Sequence, residues 1–95
     1  MAATITLRVL TQEGVALTEK AVSVIAPGER GYLGMLRNHA PLVTTLQPGT
    51  LSWTRPTGER RALLVGTGLL EIARNRFTVL TSTIAEPSPI AAHAV

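Results

Sequence analysis

Few side chains in this sequence could carry chemistry. Two histidines are present, His39 and His93, and His93 lies in the last residues of the chain, so His39 is the one candidate acid or base. Ser23, Ser52, Ser82 and Ser88 lack a nucleophile elbow around them, and a Ser-His-acid set would have to draw its acid from scattered glutamates. With no cysteine and no aspartate, and with no cluster of glutamates, a metal would lack ligands, and neither a disulfide nor a thiol nucleophile can form. Gly66-Thr67-Gly68 resembles the start of a dinucleotide fingerprint. No third glycine follows at the right place, and the next residues read as strand, so no helix amino terminus could receive a phosphate. The expectation is a strand corner there, no cofactor, no metal site, and a chain that neither binds nor hydrolyses nucleotide alone.

Charge and composition narrow the remaining classes. Nine basic residues against six acidic give +3. They are interleaved along the chain, and Tyr32, Trp53 and Phe77 have no ribonucleoprotein-type spacing, so a solvated surface is favoured over a nucleic-acid interface. Ninety-five residues suffice for one domain, and 45% hydrophobic content with 3% aromatic demands a core of Val, Leu, Ile and Ala. The start, Met1 to Thr4, has no basic, apolar and small-residue pattern of a signal peptide, and no run approaches the ~18 apolar residues of a membrane span. The expected location is the cytosol, or a membrane reached only through partners.

These side chains are positioned by short strands. Thr4 to Leu10 alternates Ile5, Leu7 and Val9 against Thr4, Thr6 and Arg8, a half-buried strand. Thr11 to Gly14 is a polar turn, Val15 to Thr18 returns, and Ala21 to Ala26 forms a further strand that Pro27-Gly28 is expected to stop. Thr50 to Arg55 alternates Leu51 and Trp53 against Ser52 and Thr54, turns at Pro56 to Glu59, and returns as Ala62 to Val65. Leu69 to Ile72 and Phe77 to Thr81 flank a tight turn at Arg74-Asn75-Arg76, where Asn tolerates positive φ. No ten-residue stretch has helical period. The fold class is all-β, a single sandwich over residues 1–85, followed by a loose tail over 86–95 whose Pro87 and Pro89 forbid ladder pairing.

The chain is organised around Arg30 to Gly49, RGYLGMLRNHAPLVTTLQPG, where glycines, prolines and a histidine surround two short apolar runs. Read with Leu51, this stretch resembles the signature of the epsilon subunit of F-type ATP synthases, a G-x-L-G-I/M segment before G-H-A-P-L-L-T and a K/Q-P-G turn. Ala62 to Ser82, ALLVGTGLLEIARNRFTVLTS, is similar to that family's L-x-V-S-G-G-x-L-E-V … V-T-V-L-A run. With the opening T-x-x-L-x-V-L-T-Q-E-G-V, the likeness covers residues 4 to 86.

The resemblance implies a sandwich of about ten short strands and a non-catalytic rotor role. The partners it implies are the gamma subunit and the membrane c-ring, with the alpha and beta catalytic subunits nearby. The chain would then sit peripherally at the cytoplasmic face of the membrane and help couple proton or sodium flow to ATP synthesis. Gly31, Tyr32, Leu33, Gly34 and Met35, together with His39, Ala40, Pro41 and Leu42, are the partner-binding residues it implies, both groups at the end that faces the ring. Tyr32 stands where many relatives carry glutamate, Arg37-Asn38 where they carry P-G, and Gly66-Thr67 where S-G is common. The usual C-terminal helical pair is not expected from the ten residues after Ala85. Read from the residues alone, His39 is a turn residue bonding local backbone, Trp53 and Phe77 are core, and Tyr32 is either a protruding contact or structural. A protein-binding β-module and a nucleic-acid-binding barrel are the other classes.

Overall fold

Ten strands follow from the alternation of β-branched and leucine residues with turn residues, and the computed structural model describes residues 4–87. They are β1 (Ile5–Thr11), β2 (Gly14–Ala21), β3 (Ser23–Gly28), β4 (Gly31–Met35), β5 (Leu42–Leu46), β6 (Gly49–Thr54), β7 (Arg60–Val65), β8 (Gly68–Ala73), β9 (Arg76–Thr81) and β10 (Ile84–Ala85). Along the ladder the order is β10-β7-β6-β3-β5-β8-β9-β1-β2, with β4 on the other side of β3. Every pairing is antiparallel except β1 with β9. The sheet folds over where β3 meets β5, at the single pair Gly28–Leu46, so one layer holds β10, β7, β6, β3 and β4 and the other holds β5, β8, β9, β1 and β2.

Between the layers lie the residues that alternation assigned inward. Ile5, Leu7 and Val9 of β1, Leu51 and Trp53 of β6, Leu63 and Val65 of β7, Leu70 and Ile72 of β8, and Phe77 and Val79 of β9 are all buried. The core is aliphatic apart from Trp53, Phe77 and Met35, as the composition required. Thr81 is buried as well, and its hydroxyl is satisfied on both sides: it accepts from Gly66 N at 2.9 Å and donates to Thr83 O at 3.0 Å.

Turn chemistry follows the sequence closely. Arg74 and Asn75 both have positive φ (53° and 61°), a two-residue hairpin turn whose twist matches the flanking strands. Gly14 and Gly58 take positive φ at the other two expected hairpins. Gly68 starts β8 rather than opening a phosphate loop: a Cβ there would lie 1.8 Å from Leu80 O, so only glycine lets β8 and β9 approach.

One expectation about boundaries fails. Pro27-Gly28 does not stop the third strand; β3 runs through both, and the chain reverses two residues later at Glu29-Arg30, with Gly31 at φ 119°. Proline costs a ladder only where its N–H is needed. Pro27 sits where β3 exchanges β6 for β5 as neighbour, and its carbonyl accepts Gln47 N–H at 2.8 Å. The next stretch is β4, which Gly31 opens and in which Gly34 lies opposite Ile25 on the outer face. The expectation for the tail falls on residues 88–95, outside the described residues; β10 ends at Ala85, and Glu86 and Pro87 continue outside any strand.

Candidate partner-binding site

The residues singled out from the sequence are divided by β4. At its start, beside the Glu29-Arg30 turn, lie Gly31 and Tyr32; beyond its far end lie His39, Ala40 and Pro41, on the loop that crosses to the other layer. The two groups are therefore at opposite ends of the sandwich. Strand alternation sorts the rest: Tyr32 and Gly34 face out, while Met35 is core and Leu33 and Leu42 pack against the core. Leu33, Met35 and Leu42 shape the site from behind and offer little surface themselves.

Tyr32 is both exposed, at 59%, and held. It pairs with Pro27 across the β3–β4 hairpin, and its phenol oxygen accepts the Thr50 N–H at 3.1 Å. Gly49 makes this possible. A Cβ at Gly49 would come within 2.7 Å of the Tyr32 oxygen and 3.0 Å of Pro27 Cβ, so the Gln47-Pro48-Gly49 turn leaves the space that seats the ring. The Tyr32 ring thus stands outward while its phenol is tethered to the backbone.

The other end is looser. Residues 36–41 are all exposed. Asn38 takes φ 66°, and His39 Nδ1 donates to Ala40 O at 2.7 Å, the local backbone bond expected of it. A carbonyl partner requires that Nδ1 carry the proton in this bond. Leu36, 66% exposed, is the most prominent apolar side chain here, and the sequence reading passed over it.

A second surface was missed altogether. Leu69 of β8, Leu80 of β9, Leu10 of β1 and Val15 of β2 stand in register across four adjacent strands, Leu69 opposite Leu80, Leu80 opposite Leu10 and Leu10 opposite Val15. All lie on the outer face, and Leu69, Leu80 and Val15 are exposed. The signal was present in the Leu69-Leu70 and Val79-Leu80 doublets, which put apolar residues on both faces of a strand, but only the register across strands aligns them into one stripe. The next row, Glu71, Thr78, Arg8 and Thr18, is polar, so the stripe has a hydrophilic border.

The strongest charges are elsewhere. Glu19 lies on the inner side of β2 and accepts from Arg55 Nε at 2.8 Å, Arg55 Nη2 at 2.8 Å and Trp53 Nε1 at 3.0 Å; Arg55 Nη1 also donates to Glu59 at 2.8 Å. The Arg55 hydrogen bond is the main reason the Glu19 carboxyl is held below its ordinary range, and the same bond pushes the Arg55 guanidinium further up. The cluster ties the end strand β2 to the β6–β7 hairpin. Its charges are spent on one another across the two layers, so it reads as a clasp between them. Among the described residues, no three His, Asp or Glu side chains gather to hold a metal.

The comparisons agree with this geometry. Residues 4–87 match the family model described as the ATP synthase delta/epsilon chain, beta-sandwich domain. Proteins named ATP synthase epsilon chain are similar to this chain: that of Desulfitobacterium hafniense is 40% identical over 87 residues, and that of Moorella thermoacetica 41% over 81. These alignments take in 92% and 85% of this chain, but 64% and 60% of the relatives, so the chain spans somewhat under two-thirds of their length. Among solved structures, a chain of the Euglena gracilis mitochondrial ATP synthase, in an OSCP/F1/c-ring assembly, superposes with a TM-score of 0.83 at 21% identity, over 88% of this chain and 54% of that one. A chain from the Tetrahymena thermophila mitochondrial ATP synthase central stalk and c-ring gives 0.72 at 17%, over 94% and 71%. At such identities the likeness establishes the fold, and the family model together with the closer relatives establishes the kinship: the chain belongs to the family of the beta-sandwich domain of the ATP synthase delta/epsilon chain.

Proposed function

We propose that this chain works as a non-catalytic rotor element of an F-type ATP synthase, standing between a gamma subunit and a membrane ring of c subunits, and helping couple proton or sodium flow to ATP synthesis on the alpha and beta subunits. It would then be peripheral to the membrane, at its cytoplasmic face, and held there by its partners. The observation that carries this reading is the in-register row Leu69, Leu80, Leu10 and Val15 on the outside of a sandwich whose core is already closed. An apolar stripe with a polar border is what a covered protein-protein surface leaves when its partner is absent. A stalk part must also transmit torque without deforming, and a close-packed two-layer sandwich compresses little.

Within this reading the two ends have different tasks. Gly31 and Tyr32, with Gly34 beside them, meet the polar loops of the ring; His39, Ala40 and Pro41, backed by Leu42, stand at the opposite end and lie towards gamma, which also covers the apolar stripe on the outer face of the second layer. The departure from glutamate to Tyr32 changes the ring contact from an ion pair to an aromatic face, which could stack on a ring-loop arginine.

The test is direct. Mixed at micromolar concentration with the gamma subunit of the same organism, the chain should elute earlier from size-exclusion chromatography, as a stable complex, and Leu80→Glu should abolish the shift while leaving the circular dichroism of the sandwich intact. No shift with the unaltered chain would sink the rotor reading.

A further inference from the structure

The signature loop of residues 36–41 is unusual in how little holds it. It bridges the two layers, all six residues are exposed, and only a crevice of about 10 Å³, lined by Ile5, Leu36, His39, Ile72, Asn75 and Phe77, lies beneath it. None of its backbone groups bonds to backbone elsewhere among the described residues. What ties it down is one side chain, Asn75, from the β8–β9 turn 37 residues further along. Asn38 N donates to Asn75 Oδ1 at 2.6 Å, and Asn75 Nδ2 donates to Asn38 Oδ1 at 3.4 Å.

The two asparagines can meet this way because both are left-handed, Asn38 at φ 66° and Asn75 at φ 61°. Asn adopts that conformation at low cost, and unlike glycine it brings a side chain that can bond. Asn75 is itself fixed from the other side, since its carbonyl accepts Thr6 N–H at 2.9 Å and its turn closes the β8–β9 hairpin. A rigid turn thus reaches out and sets the position of an exposed loop.

We infer that Asn75 is a positioning residue for partner binding: it touches no partner, but through Asn38 it sets where Leu36, His39 and Pro41 stand when gamma docks. The inference rests on the rotor reading for the identity of the partner, but not for the link between Asn75 and the loop. The same asparagine serves the fold as a turn residue, so the test must separate the two roles. Asn75→Gly keeps the left-handed backbone and deletes only the side chain. Asn75→Asp keeps the oxygen that accepts from Asn38 and tolerates the same φ.

In the full chain, amide exchange at Asn38, the thermal midpoint, and the affinity for the purified gamma subunit are measured for each form. Asn75→Gly should exchange the Asn38 amide about five-fold faster, the factor corresponding to a net hydrogen bond of ~1 kcal/mol. Its affinity for gamma should fall by a similar factor with the midpoint almost unmoved, and Asn75→Asp should restore both. An Asn38 amide as protected in Asn75→Gly as in the unaltered chain would overturn the inference. So would faster exchange with unchanged affinity, or an affinity loss that tracks the midpoint and is not rescued by Asp. If the unaltered chain does not bind gamma at all, the rotor reading falls, and exchange at Asn38 still decides whether Asn75 sets the loop.

Discussion

The two ends of β4 make a useful contrast. At one end Tyr32 stands on a hairpin, seated over Pro27 and Gly49 and tethered to the Thr50 backbone; at the other, the exposed loop of residues 36–41 is held by a pair of asparagines. Both ends are exposed and both belong to the stretch that carries the family signature. They differ in what resists displacement. Moving Tyr32 requires breaking a packed backbone contact, whereas moving the loop requires breaking one strong hydrogen bond and one long one. The first is a stiff fitting and the second an adjustable one, so mechanical load is better borne near Tyr32 and adaptation to a partner better accommodated near His39.

The largest effect on this contrast should come from Gly49→Ala. The added Cβ would meet the Tyr32 oxygen and Pro27, so either the ring swings out or the turn shifts; overpacking of this kind costs about 1–3 kcal/mol. Denaturant unfolding should show a loss in that range, and amide exchange should rise at Thr50 while Asn38 is unaffected. Equal changes at both ends would mean the ends are not mechanically separate.

Tyr32→Phe is the gentler change. It keeps the ring and removes the oxygen that accepts from Thr50, for an expected ~0.5–1.5 kcal/mol. If the aromatic face makes the ring contact, the coupling of ion flow to ATP turnover in reconstituted vesicles should survive Tyr32→Phe and weaken in Tyr32→Ala. Equal coupling in all three forms would remove Tyr32 from the contact.

The smallest effect on the contrast should come from the clasp, which lies at neither end of β4. Glu19 is held below its ordinary value of 4.5 in the fold, first by the Arg55 hydrogen bond, against some desolvation, so it stabilises the folded state fully above that value. That stabilisation is lost as pH falls below 4.5 and through the lower folded value. The difference in thermal midpoint between the unaltered chain and Glu19→Gln should therefore be greatest near pH 7 and shrink by pH 3. A constant difference would show that the carboxylate charge is not what Arg55 and Trp53 hold, and a matching change in Asn38 exchange would show that the clasp and the loop are linked.

The amino-acid sequence by itself determined the strands, most of their turns and the core. Alternation at Ile5, Leu7 and Val9 or at Leu51 and Trp53 is a local property of the chain, and so is the left-handed tendency of Asn75, because side-chain direction in a strand and φ in a tight turn are set within a few residues. The tertiary structure alone decided that β3 passes through Pro27, since whether a proline harms a ladder depends on which neighbour faces its nitrogen. It decided that Gly31 and His39 lie at opposite ends, because a strand of ordinary length separates them. It decided the stripe from Leu69 to Val15, the clasp of Glu19 with Arg55, and the bond between Asn38 and Asn75, each joining residues distant in sequence. Periodicity tells which face a residue takes, while register and the curl of the sheet tell what stands beside it, and these are fixed only when the whole chain has closed.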